Sequence, residues 1–242
     1  MVLENIARLK GRIASACLKA NRDPSQITIV AAIKGRSLQA VKEAIRSGIC
    51  DIGGNRVQES VLIYNELTSQ PDDQLTKQRV NETASKRIKW HMIGHLQTNK
   101  AKEAVKIFGL IHSVDSLRLA QEIDKRAREI NKVQDILIEV KTSPEETKSG
   151  VAPERTLELA GRILSLKNVS LKGLMTIAPL VDNPEKTRPC FRQLRELLVK
   201  LGSMPGSSGS IRILSMGMSD DLEVAIEEGS NMIRVGRAVF ES

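Results

Sequence analysis

Aromatic side chains are nearly missing from this chain: three Phe, one Trp and one Tyr among 242 residues. A groove that stacks the bases of single-stranded nucleic acid needs such rings, so the net charge of +8 is not read as a nucleic-acid footprint. The basic residues are also interleaved with acids over many helical stretches and form no single stripe. Attraction of anionic small molecules, phosphates included, is the more modest reading of that charge. Cysteine is scarce as well. Cys17, Cys50 and Cys190 are odd in number, far apart and form no CxxC, which argues against a disulfide framework and fits a reducing cytosol. No run reaches the roughly 18 apolar residues that read as a membrane span. The stretch from Met1 to Lys10 carries charges at helical spacing and lacks the apolar centre of a signal peptide. The expectation is a cytoplasmic protein with neither a membrane nor a nucleic acid as partner.

What is present is ordinary globular composition, 40% hydrophobic and 27% charged, with a core that must rest on Leu, Ile, Val, Ala and Met. Apolar runs alternate with helical patterns along the whole chain. Leu3, Ile6, Ala7, Leu9 and Ile13 predict an amphipathic helix over 2–20. Val30 to Lys34 reads as a buried strand, and Ser37 as the cap of a helix that stops at Gly48. Further strands are expected at Cys50–Gly53, Lys89–His95, Leu110–Val114, Asp135–Val140, Val169–Ile177, Ile211–Met216 and Met232–Val235. Helices fall between them, including one over Ser219–Glu228, and none follows the last strand. Residues 68–87 are polar and read as a solvated loop or frayed helix end. Eight strand–helix units at this length predict a single (β/α)8 TIM-type barrel over residues 1–242. The N-terminal helix would then cover the position after the last strand. An open doubly wound sheet is the alternative.

Chemistry is expected where barrel strands end. Lys34 closes an apolar strand. It is either a lysine that has reached water or a desolvated amine able to form a Schiff base with an aldehyde. The loops after strands seven and eight, Ser215–Asp220 and Val235–Arg237, carry glycines for close backbone approach, and Ser219 opens a helix; together they read as a phosphate cradle. The plainer reading of Ser219 is a helix cap. Arg234 sits among Met232, Ile233 and Val235 in a buried strand and needs a partner, either a neighbouring acid or a ligand atom in the barrel mouth. His91 and His95 have a metal-like spacing only on a helix, and no third ligand is apparent. His112 reads as a hydrogen-bonded residue of a strand end. A lysine, a phosphate cradle and a buried arginine around one mouth match pyridoxal phosphate: aldehyde, phosphate and ring nitrogen. An aldolase acting on a phosphorylated sugar matches almost as well.

These residues also carry a resemblance. Val30–Lys34, Gly53–Glu59, Trp90–Lys100, His112–Asp115, Lys148–Gly150, Gly173–Thr176, Leu214–Ser219 and Arg234–Arg237 are ordered blocks similar to those of the pyridoxal-phosphate homeostasis proteins, which share the barrel of alanine racemase. The resemblance implies that Lys34 carries pyridoxal 5'-phosphate as a Schiff base. It implies that Met218, Ser219, Gly236 and Arg237 surround the phosphate, that Arg234 faces the pyridine nitrogen and that Asn55 lies near the ring. It further implies a cytosolic cofactor carrier or buffer, with no established turnover and with pyridoxal-phosphate-dependent apoenzymes as possible recipients. An exposed cofactor mouth without a partner domain suits a monomer. The alternative is a racemase or related enzyme. Racemases of this fold take a second base, a tyrosine, from a separate domain of the partner chain, and Tyr64 is the single tyrosine here. Departures from the family pattern include Gly54 for a glutamate, Gly35 for a threonine after the lysine, Pro144, and the longer segment 68–87.

Overall fold

The computed structural model describes residues 1–69, 88–143, 145, 149–207 and 209–241. The loop expected at 68–87 therefore lies outside the described residues, apart from Thr68 and Ser69, which end a helix. Pro144 and Lys148 lie outside them too.

Eight strands close into one barrel in chain order: β1 (Thr28–Ala32), β2 (Asp51–Gly54), β3 (Lys89–Met92), β4 (Leu110–Val114), β5 (Gln134–Glu139), β6 (Val169–Met175), β7 (Ile213–Ser215) and β8 (Met232–Val235). Every neighbouring pair is parallel, and β1 pairs with β8 to complete the ring, with Val30 opposite Arg234. Helices α1 (Val2–Lys19), α2 (Leu38–Arg46), α3 (Val57–Ser69), α4 (Ala101–Ile107), α5 (Leu117–Glu129), α6 (Thr156–Leu164), α7 (Arg188–Gly202), α8 (Leu222–Glu227) and α9 (Arg237–Phe240) lie between or beyond the strands. The barrel expected from the alternation is the one that forms.

Local chemistry sets the helix starts. Ser37 Oγ accepts from the Ala40 N–H at 3.3 Å, and Ser116 Oγ from the Leu119 N–H at 3.4 Å, so each supplies an acceptor to an otherwise unpaired donor of the first turn. In α1 the residues Ile6, Leu9, Ile13, Ala16 and Cys17 are buried on one stripe. That stripe packs on α8 and α9. Asn5 Nδ2 adds hydrogen bonds to the Val239 carbonyl at 3.2 Å and the Glu241 carbonyl at 2.8 Å. The N-terminal helix thus covers the position after the last strand, as expected. One detail differs: β8 is followed by a helix, α9, of four residues, too short to leave a periodic pattern.

Two apolar layers result from the alternation of side chains along each strand. The larger lies between strands and helices and includes all the rings: Phe108, Phe191, Phe240 and Trp90, with Tyr64 packed against it. The smaller, Val30, Ile93, Leu110, Leu137, Met175 and Met232, fills the barrel interior.

Candidate functional site

β1 ends at Ala32, two residues before Lys34, which lies exposed in the turn beyond. The Arg36 N–H donates to the Ile33 carbonyl at 3.0 Å, closing that turn. Gly35 takes φ +67° within it, a region that disfavours side chains. The strand expected to run to Lys34 therefore stops short of it. The turn sets Lys34 at the barrel mouth.

Lys34, Asn55, Met218, Ser219, Arg234, Gly236 and Arg237 all border one cavity of about 540 Å³. Its rim is cationic: Lys34, Arg36 and Arg237, with the buried Arg234 also lining the cavity, stand against the carboxylates Asp220 and Asp221. Such a rim attracts an anion. Arg36 was not singled out from the sequence. Its guanidinium lies 5.4 Å from the Phe240 ring centroid and pairs with Glu241. Its buried Nε–H has no acceptor among the described residues.

The cradle after β7 is built differently from the sequence expectation. α8 begins at Leu222, so Ser219 does not cap it. Instead Ser219 Oγ accepts from the Ala238 N–H at 3.2 Å and ties this loop to the turn after β8. Asp221 Oδ1 accepts from the Met218 N–H at 2.6 Å, and burial pushes its carboxyl above the ordinary value. A helix of six residues contributes little dipole, so anion attraction rests on the cations and the loop amides. Gly217 has φ +93°, and a Cβ there would come within 2.6 Å of Ala225 Cβ, so only glycine lets the loop lie this close to α8. Arg12 of α1 clamps the loop from outside, donating to the Ser219 carbonyl at 2.9 Å and to Glu223 at 2.6 and 2.8 Å.

Arg234 is buried at 5% exposure. No described ion pair includes it, so the structural ion pair weighed from the sequence is not what holds it. Its Nη1 donates to Ser215 Oγ and its Nη2 to the Thr176 carbonyl, both at 2.8 Å. Burial lowers its pKa to about 10, with Asp221 and Glu139 pulling the other way. Glu139, at the end of β5, is pushed up to about 7 by burial and by Asp115, against Arg234. The sequence expectation placed Ser215 at the start of the phosphate cradle and gave Thr176 no role; neither a strand-end hydroxyl nor the Thr176 carbonyl just beyond β6 has a local signature of what it meets across a barrel.

The two histidines of the metal-like spacing separate. β3 ends at Met92, so His91 is held in the barrel interior, with Nε2 2.9 Å from Asp51 Oδ1. His95 lies beyond the strand, half exposed, 3.7 Å from Asp115. They do not share a face as the longer expected strand would have placed them. His112 is a buried, hydrogen-bonded residue of β4. Among the described residues no cluster of three His, Cys, Asp or Glu side chains is arranged to hold a metal ion.

The family described as alanine racemase, N-terminal domain, matches residues 4–242. The pyridoxal phosphate homeostasis protein of Aquifex aeolicus is 42% identical over 98% of this chain and 96% of its own length. That of Pseudomonas aeruginosa is 35% identical over 99% and 94%. The chain belongs to the pyridoxal phosphate homeostasis protein family. Among solved structures of similar chains, PipY of Synechococcus elongatus with PLP bound has a TM-score of 0.82 at 32% identity, covering 99% of this chain and all of that one. The same protein solved without PLP gives 0.83. An alanine racemase of Clostridium difficile, 16% identical, matches with a TM-score of 0.71 over 55% of its length and shares the fold.

Proposed function

We propose that the chain binds pyridoxal 5'-phosphate at Lys34 and serves intracellular homeostasis of that cofactor, as a carrier or buffer with no turnover of its own. The observation that carries this is the convergence of an accessible lysine, a cationic rim and a buried arginine on one cavity. The names of the family members and the PLP bound to PipY support it. When bound, the cofactor supplies an aldehyde for a Schiff base and a conjugated ring. Lys34 would offer the amine. Met218, Ser219, Gly236 and Arg237 would hold the phosphate, and Asn55 would flank the ring.

Arg234 would donate an N–H to the ring nitrogen. Even lowered to about 10, it keeps its proton at neutral pH, so Arg234 can only donate, and a ring nitrogen set against it would stay an acceptor without a proton. That weakens the electron withdrawal on which racemisation depends and favours a carrier. Tyr64 offers no second base: it packs edge-on against Trp90, ring centroids 5.6 Å apart, among the helices. In this reading residues 1–242 act as one domain, a monomer in the cytoplasm that delivers to pyridoxal-phosphate-dependent apoenzymes. No helix among the described residues is long and apolar enough to cross a membrane.

The test is the visible absorbance of the purified protein beside Lys34→Ala. The wild type is expected to be yellow and the variant not, with stability unchanged within about 0.5 kcal/mol, as for surface substitutions. A colourless wild type after addition of the cofactor sinks the proposal and returns the cavity to the aldolase reading. Interconversion of L- and D-alanine at about 1 s⁻¹ or faster, the low end of ordinary enzyme rates, would sink the carrier role alone.

A further inference from the structure

A chain of hydrogen bonds crosses the barrel interior beneath the cavity. Asp51 Oδ1 lies 2.9 Å from His91 Nε2, and His91 Nδ1 lies 3.0 Å from His112 Nε2. His112 Nδ1 lies 2.9 Å from Ser215 Oγ, and Arg234 Nη1 donates to that hydroxyl at 2.8 Å. The chain links β2, β3, β4, β7 and β8. Its four members beyond Asp51 are all buried.

The two ends fix the order of the protons between them. A guanidinium can only donate and a carboxylate can only accept. Ser215 Oγ accepts from Arg234, and among the described residues His112 Nδ1 is the acceptor within reach of its own proton. His112 then carries its proton on Nε2 and donates to His91 Nδ1, and His91 Nε2–H donates to Asp51. In this order each ring carries one proton, on Nε2, and the two are of one tautomer. With neutral rings, the reverse order would turn a His91 lone pair against the Asp51 carboxylate and strand the buried Ser215 hydroxyl proton. Burial, with His91 and Arg234 close by, holds His112 well below the ordinary imidazole value, in keeping with a neutral ring.

We propose that Asp51, His91, His112 and Ser215 form a proton-ordered chain that positions Arg234 toward the cavity. The Thr176 carbonyl anchors the second terminal nitrogen at 2.8 Å, so the guanidinium is held at both and cannot turn. Glu139 and Asp221 are the other charged groups facing it, with Asp115 beyond Glu139. The inference deepens the reading of Arg234 as donor to the ligand ring, and its value for binding rests on that reading.

Nitrogen-15 NMR of the intact protein tests it, with and without pyridoxal phosphate. Both imidazoles are expected as neutral Nε2–H tautomers between about pH 6 and pH 8, the range in which an ordinary imidazole titrates. Asp51→Asn touches neither His112 nor the cavity. An amide can donate or accept, so this variant is expected to mix the His112 tautomers two links away. Ser215→Ala is expected to merge the separate Nη signals of Arg234 and to weaken pyridoxal phosphate binding about tenfold, near one hydrogen bond to a charged group. Ser215→Thr keeps the hydroxyl and is expected to restore both. An Nδ1–H or doubly protonated ring in the wild type overturns the proposal. So does Asp51→Asn that leaves His112 unchanged, or Ser215→Ala that leaves the Arg234 signals separate. If Ser215→Ala does not fold, Asp51→Asn decides. If the wild type binds no pyridoxal phosphate while these signals behave as stated, the proposed function fails and the chain stands.

Discussion

The barrel wall has two faces built from different materials. Outward, toward the helices, it packs Phe108, Phe191, Leu9, Ile123 and Ile136, all fully buried and all apolar. Inward, Val30, Leu137, Met175 and Met232 share the interior with Asp51, His91, His112, Glu139, Ser215 and Arg234. The outer layer gains stability from area removed from water, roughly 25 cal/mol per Å². The inner one holds costly buried polar groups, and Asp51, His91, His112, Ser215 and Arg234 are acceptable there because they partner one another. Stability and function should therefore respond to different substitutions.

The largest effect is expected on the outer face. Phe108, the residue after α4, is fully buried in this outer layer. Phe108→Ala should cost about 3–5 kcal/mol through lost transfer energy and the cavity left behind. Urea unfolding measures it. The fraction that remains folded should bind pyridoxal phosphate as the wild type does; a weakened folded fraction would mean the two faces are not separable.

An inward substitution of smaller effect carries a pH signature. Native Glu139 keeps its proton to about pH 7, while an ordinary carboxyl gives it up near 4.5. Between these values the folded state binds more protons than the unfolded one, so stability falls as pH rises through the window and levels off above it. The full swing from this group is about 3 kcal/mol. Glu139→Gln should flatten that slope, gaining on the wild type as pH rises from 5 to 8. Unfolding midpoints across that range that stay parallel for the two proteins would contradict it.

The same contrast explains what the sequence disclosed. The outer face was legible because burial of a strand or helix writes itself into local pattern: β-branched runs for the strands, and three- and four-residue steps for α1. Lys34 and Arg234 stood out because each is a charge set against an apolar run. The contacts of Arg234 did not, since its partner Ser215 also meets His112 across 103 residues of sequence, and nothing local records such a contact. The late start of α8 was hidden for a similar reason. The Asp221 side chain holds the Met218 N–H, and Ser219 reaches forward to Ala238. A serine before an acidic run reads as a cap whether or not it serves as one.

Arg12 joins the two faces, and its removal should have the smallest effect of the three. It lies on α1, the helix that covers the closing gap of the barrel, yet its Nη2 holds the Ser219 carbonyl of the cradle. Its bidentate pair with Glu223 is about one-third exposed on each side, so water screens much of the attraction. Arg12→Ala should lower stability by about 1 kcal/mol, the range of a half-exposed pair plus one hydrogen bond. The consequence for binding is more telling. Without the clamp, the Met218–Ser219 loop keeps its ties to Ala238 and Asp221 but loses its outer support, and the proposed phosphate cradle is less firmly fixed. Inorganic phosphate should then compete less well for the cavity, while the yellow adduct at Lys34 still forms. Equal loss of phosphate competition and of adduct would place Arg12 in the general stability of the barrel and leave the cradle without its outer support.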